Sequence, residues 1–141
     1  MKGVFEGHGE YYLTNGSSYK GEWKAGKKEG KGTFNFEDGS VFTGQFKDDM
    51  KHGEGKFVFD DGSVYEGNLE NDLFSGQGTF TFKDKKNYKG SWANNEMDGQ
   101  GVFTWPDGRR YEGGYSKGKK HGKGVFYWPS GKTFKGTWHL G

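Results

Sequence analysis

The sequence has no cysteine. Disulfides and thiol catalysis are therefore excluded, and the chain suits a reducing compartment. No apolar run approaches membrane-spanning length. The start, MKGVFEGHGE, carries no secretory pattern. A cytoplasmic location is expected, with association at a membrane or cytoskeletal surface. Hydrophobic residues make up only 29% of the 141, too few for one compact core. No segment places apolar residues at helical spacing, so no helix is expected. Low hydrophobicity can signal disorder, but 18% of the residues are aromatic, and their spacing argues for order.

That spacing is a period. Tyr19 is followed by Phe42, Tyr65, Tyr88, Tyr111 and Phe134, each 23 residues after the last. A fixed period of this kind marks a repeat architecture. Full repeats run 19–41, 42–64, 65–87, 88–110 and 111–133, with partial repeats at 1–18 and 134–141. The whole chain, 1–141, reads as one array.

Each repeat carries two alternating segments. In the first copy, Tyr19, Gly21 and Trp23 share one parity, while Lys20 and Glu22 take the other. After a polar loop of six residues, Gly30, Gly32, Phe34 and Phe36 again share a parity. Alternation of this length predicts strands with one apolar face. Asn15-Gly16, Asp38-Gly39, Asp61-Gly62 and Asp107-Gly108 supply dipeptides that accept positive φ and close tight hairpins. Ser130-Gly131 is a weaker version, and Asp84-Lys85 predicts a looser or differently shaped turn. The other loop holds Gly26, Asp49, Asp72, Asn95 and Gly118 at one position, and all three types tolerate a left-handed backbone.

The predicted fold class is all-β: an elongated single antiparallel meander of about 12 strands, built from 23-residue hairpins. Residues 1–6 form a loop, and 7–13 and 134–138 are lone strands with open edges, which invite self-association. Gly21, Gly32 and their equivalents lie on the aromatic face and leave hollows for rings from the adjacent strand. Gly67→Val is therefore expected to destabilise the array.

The pattern Tyr-x-Gly-x-Trp-x-x-Gly-x-x-x-Gly-x-Gly, best matched from Tyr19 to Gly32 and from Tyr111 to Gly124, where Tyr115 takes the Trp slot, closely resembles the MORN repeat (membrane occupation and recognition nexus). The resemblance covers essentially the whole chain. It implies successive antiparallel hairpins in an elongated, twisted single sheet with an aromatic-lined groove. It also implies roles as scaffolds, protein-binding modules and dimers, and on an older view binding of acidic phospholipids. Kinase or methyltransferase domains accompany some members; this sequence contains neither. Leu69 stands where an aromatic is expected and Asp48-Asp49 where a basic or Asn-Gly pair is usual, so the third repeat is expected to bend or pack differently.

Two sets of candidate site residues follow. The first is a partner-binding groove of Tyr19, Trp23, Phe46, Tyr65, Tyr88, Trp92, Tyr111, Tyr115 and Trp138, whose alternative role is core packing between hairpins. A single sheet cannot cover its apolar face unless it curls, and what stays exposed forms an interaction patch. The second is an anion or phospholipid site of Arg109, Arg110, Lys117, Lys119, Lys120 and Lys123. It lies in the basic end: residues 42–87 carry a net −3 and residues 88–141 a net +5. Its alternative is solvated loop charge.

No metal is expected, because His8, His52, His121 and His139 lack ligand spacing. Gly26 to Gly32 is not a phosphate loop, since no helix follows it. No catalytic constellation is present, so no enzyme and no cofactor are expected. Acids such as Glu22, Glu54, Glu66 and Glu112 on the polar face argue against nucleic acid. The expected function is a scaffold that binds a protein segment in its aromatic groove and self-associates as a dimer. The alternative is a peripheral membrane module for acidic phospholipids.

Overall fold

The computed structural model describes residues 7–139. Among them are twelve strands and no helix. The chain divides into two units, Met1–Leu73 and Phe74–Gly141. The first holds β1 (Gly7–Tyr12), β2 (Ser18–Lys24), β3 (Lys27–Asn35), β4 (Val41–Lys47), β5 (Met50–Val58) and β6 (Val64–Glu70). The second holds β7 (Leu73–Thr81) from its second residue on, β8 (Asn87–Ala93), β9 (Glu96–Thr104), β10 (Arg110–Ser116), β11 (Lys119–Tyr127) and β12 (Thr133–Trp138). Strand order is chain order, so each unit is an antiparallel meander. The loop expected at residues 1–6 lies outside the described residues.

Two kinds of turn alternate. Between β2 and β3 the turn is only two residues long, Ala25 and Gly26, both with positive φ (52° and 79°). Asp48-Asp49, Asn94-Asn95 and Lys117-Gly118 do the same. Paired positive φ matches the twist of the flanking strands, as in type I′ hairpins. The six-residue loop expected here is therefore replaced by strand. The strand begins at Lys27, and a bulge absorbs the mismatch: Gly21 pairs with Gly32, but Trp23 pairs with Lys28. Gly30 (φ 69°) occupies the bulge, and the Glu22 carboxylate accepts the Lys31 N–H there at 2.9 Å. Gly30 thus serves the bulge rather than the aromatic face.

The second kind follows β1, β3, β5, β7, β9 and β11. In the first full repeat Phe36 N–H donates to Ser40 O at 2.9 Å, and Gly39 N–H to Phe36 O at 3.1 Å. Only Gly39 takes positive φ (98°). Asp38 acts differently from the expectation: its carboxylate accepts the Ser40 N–H at 2.8 Å, and that bond holds its carboxyl below the usual range. The Asp84-Lys85 turn is not looser. Lys85 adopts φ 78°, and the same two backbone bonds form at 2.8 and 2.9 Å. The hydrogen-bond frame imposes the left-handed residue whether or not glycine fills it.

The aromatic face is built as expected. Tyr19, Phe42, Tyr65, Tyr88 and Tyr111 are at most 1% exposed. Within each unit the ring leans over the glycine of the next strand: a Cβ on Gly32 would lie 2.5 Å from Tyr19 Cζ, and one on Gly55 2.5 Å from Phe42 Cζ. Trp23, Phe46, Leu69, Trp92 and Tyr115 complete the buried row at 9% exposure or less. The two sets interlock edge to face, with Tyr19 5.0 Å from Trp23 and 5.1 Å from Phe46, and Tyr88 5.3 Å from Trp92 and 5.0 Å from Tyr115. Leu69 takes the same buried place as the aromatics. The bulge leaves one carbonyl out of the ladder, and the tyrosine hydroxyl donates to it: Tyr19 to Glu22 O at 3.0 Å, Tyr88 to Ser91 O at 3.0 Å. Burial raises Tyr19, Tyr65 and Tyr88 to pKa values of about 12.

Candidate functional site

The rings on this face fall into two rows with different fates. Eight of the nine sequence-predicted groove residues (Tyr19, Trp23, Phe46, Tyr65, Tyr88, Trp92, Tyr111 and Tyr115) form the buried row just described. Trp138 is half-buried, 5.0 Å from Tyr111. Other rings are more accessible: beside the exposed Tyr11, Tyr12 and Phe134 stands a recurring half-buried set. Its rings come from the ends of the longer strands and the residue just after each: Phe34, Phe36, Phe57 and Phe59 in the first unit. In the second unit they are Phe80, Phe82, Phe103, Trp105, Phe126 and Trp128. All ten are half-buried.

Within each unit these rings touch in series. In the first, Phe34–Phe36, Phe36–Phe57 and Phe57–Phe59 are 4.6, 5.3 and 4.3 Å apart, the last two stacked. In the second, Phe103–Trp105, Trp105–Phe126 and Phe126–Trp128 are 4.6, 5.4 and 4.5 Å apart. The glycines explain the difference between rows. Rings of the short strands have bare backbone beside them to lie on, whereas Phe34 and Phe36 run into the turn, where no glycine hollow receives them.

Cations border the accessible row. Lys28 Nζ stands 5.5 Å from the Phe34 ring, Lys51 5.7 Å from Phe57, and Lys86 5.6 Å from Phe82. Arg109 lies 5.1 Å above Trp105, and Lys132 5.6 Å from Trp128. Lys28 and Lys51 reach the aromatic face because the short turn and bulge extend β3 and β5 backwards. Each also pairs with an acid of the next repeat: Lys28 with Asp49 at 3.4 Å, Lys51 with Asp72 at 3.2 Å. Sequence alternation alone places this position in a loop. Its signal was the recurrence of Lys28, Lys51, Phe74, Met97 and Lys120 at one place in the period.

A hollow of about 560 Å³ opens on the aromatic face of the second unit, lined by Met97, Phe103, Trp105, Tyr115, Lys119 and Lys120, among others. A wider hollow of about 930 Å³ faces away from the rings and includes Lys89, Val102, Glu112, Lys123 and Lys135.

The six basic residues do not converge on one site. Arg109 and Lys120 share Trp105 on the ring side, and Lys119 lines the hollow there. Arg110 and Lys123 lie on the opposite face by register. Lys117 sits in the turn, its N–H donating to the Asp98 carboxylate at 3.4 Å. Both arginines already hold carboxylates, Arg109 with Asp107 at 2.8 Å and Arg110 with Glu112 at 3.0 Å. His121 and His139 stand 5.4 Å apart on the second unit. No group of three potential metal ligands occurs among the described residues.

The family model described as "MORN repeat" matches residues 1–18, 19–41, 42–64, 65–86, 88–109 and 111–133. No curated protein matches by sequence. Among solved structures, the TCP domain of SAS-4 (dCPAP) of Drosophila melanogaster, in complex with a proline-rich motif of Ana2 (dSTIL), is similar. It has a TM-score of 0.59 at 10% identity, covering 94% of this chain and 72% of that one. The wild-type TCP10 domain of Danio rerio CPAP has a TM-score of 0.56 at 15% identity, covering 92% of this chain and 61% of that one. The same domain in complex with a peptide of Danio rerio STIL has a TM-score of 0.51 at 19% identity, covering 94% and 65%. The chain thus spans less than two thirds of the two zebrafish structures. At these identities the likeness is one of fold.

Proposed function

The chain belongs to the MORN repeat family, and on that premise we propose that it is a non-catalytic protein-interaction module whose half-buried rings hold an extended segment of a partner protein. The observation that carries this reading is the division of the rings. One row is buried except at its last members, Phe134 and Trp138; the other is half-buried throughout, with cations beside it. Flat, contiguous aromatic surface of this kind suits extended segments, and proline in particular, whose preformed conformation loses little entropy on docking. Two of the similar folds carry a bound peptide, which supports a peptide as the ligand class here.

Fluorescence anisotropy with labelled proline-rich peptides tests the reading, using the full chain and the variants Phe82→Ser and Trp105→Ser. The chain should bind a subset of the peptides, and each variant should lose that binding while its circular dichroism is unchanged. If a folded variant binds as the original does, or no peptide binds, the reading fails. Vesicles containing phosphatidic acid, run in parallel at low salt, address the lipid alternative: capture of vesicles without peptides would replace the protein reading with it. Light scattering of the free chain reports whether a second copy occupies the face instead; a stable dimer that blocks peptide binding would also count against the proposal.

A further inference from the structure

One position of the repeat obeys a charge rule within this chain and breaks it once. The position is Lys28, Lys51, Phe74, Met97 and Lys120. The residue that meets it stands 21 positions later, in the next repeat's short turn: Asp49, Asp72, Asn95 and Gly118; the same step from Lys120 reaches Gly141, which lies outside the described residues. Where that residue is Asp, the position is lysine. The Asp49 carboxylate accepts the Lys28 backbone N–H at 2.7 Å and faces its Nζ at 3.4 Å. Asp72 treats Lys51 the same way, at 2.7 and 3.2 Å. Where the later residue is Asn or Gly, the position is apolar. Asn95 still accepts the Phe74 N–H at 2.7 Å, but there is no charge to balance.

Lys120 is the exception. Its counterpart in the sequence is glycine, and among the described residues it makes no ion pair. Glu96, whose carboxylate lies 3.9 Å from where a Gly118 side chain would start, makes none with Lys119 or Lys120 either. The Lys120 ammonium is 5.9 Å from the Trp105 ring and 5.6 Å from Tyr111. Its side chain is half-buried at the rim of the 560 Å³ hollow floored by Met97, Phe103, Trp105 and Tyr115. That volume is within the range of about 300–1,000 Å³ typical of ligand sites. Of the other lysines at this rim, Lys86 already holds Asp84 at 3.2 Å.

We propose that Lys120 selects an acidic residue in the bound segment: the hollow takes an Asp or Glu carboxylate on the ammonium, with a proline or other apolar neighbour on Trp105 and Phe103. This rests on the protein-interaction reading above and specifies its ligand. A carboxylate arriving here does what Asp49 does for Lys28. It gains a charge-assisted hydrogen bond beside apolar rings that keep water away from one side.

Two labelled peptides test it, identical proline-rich sequences with a central Glu in one and Gln in the other. The original chain should bind the Glu peptide about tenfold tighter, the worth of one hydrogen bond to a charged group. Lys120→Met copies the natural Met97 and should bring the Glu peptide down to the level of the Gln peptide, leaving the latter unchanged. Lys120→Gln is a second variant should the first fail to fold. Equal affinity for both peptides in the original chain, or preference retained in a folded Lys120 variant, overturns the selectivity while leaving the interaction module standing. Failure of both peptides to bind the original chain overturns both.

Discussion

The ring of Tyr19 fills the place where a side chain on Gly32 would stand, with Cε1 and Cζ both 2.5 Å from that Cβ position. Sequence alternation puts these residues on one face; the structure makes them a ring and its socket. Gly55 is likewise the socket of Phe42. In the second unit Gly101 is the socket of Tyr88, and Gly124 that of Tyr111.

Gly32→Ala should therefore destabilise the protein although alanine is the smallest side chain available. The added methyl forces the Tyr19 ring off its seat and weakens its bond to Glu22 O. Overpacking of this sort costs about 1–3 kcal/mol. Urea unfolding followed by circular dichroism would measure it; an unchanged midpoint would show the socket to be slack.

Lys85→Gly should act in the opposite direction. Lys85 holds φ 78° in a turn where Gly39, Gly62 and Gly108 hold the same region. Left-handed backbone costs a residue with a Cβ about 1–2 kcal/mol, which glycine avoids. A gain of about 1 kcal/mol is expected, reduced by glycine's greater freedom in the unfolded chain. The same denaturation experiment reads it.

Here the limits of the sequence are physical. Period, strands, apolar face and glycine hollows were legible because all follow from local alternation. The left-handed Lys85 was not, because the turn's hydrogen bonds dictate φ regardless of residue. The start of β3 at Lys27 was hidden because the bulge glycine, Gly30, keeps the parity of Gly32 and reads as ordinary alternation. Which ring row is covered depends on what each ring meets on the neighbouring strand, and parity alone gives Tyr19 and Phe34 the same face.

The Lys28–Asp49 pair should show coupling. Asp49→Asn keeps the acceptor for the Lys28 N–H, as Asn95 does for Phe74, but removes the counter-charge. A loss of about 0.5–1 kcal/mol is expected, since Asp49 is nearly half exposed. Lys28→Phe on top of it recreates the Phe74–Asn95 pair and should recover that loss. A double-mutant cycle measures the interaction; strict additivity would show that the charges do not act together.

Alkali should unfold the protein through its tyrosines. Tyr19, Tyr65 and Tyr88 ionise near pH 12 when folded, against 10 in the open chain, chiefly because burial disfavours the phenolate. Their folded pKa is raised, so their contribution is whole below pH 10 and is lost as pH climbs toward 12. Stability measured across that window should fall steadily, and phenolate absorbance of the folded chain should lag that of the denatured chain. Superimposable titrations would contradict the burial.

The most direct test of the two-row division is an isotope-labelled NMR experiment on the indole N–H groups of the five tryptophans. Trp92 Nε1–H donates to Gly78 O at 3.0 Å within the buried row, so it should exchange slowly and keep its shift when a proline-rich peptide binds. Trp105 and Trp128, in the accessible row, should exchange quickly and move on binding. Peptide-induced movement of Trp92 with Trp105 and Trp128 unaffected, or equal exchange at all three, would contradict the account.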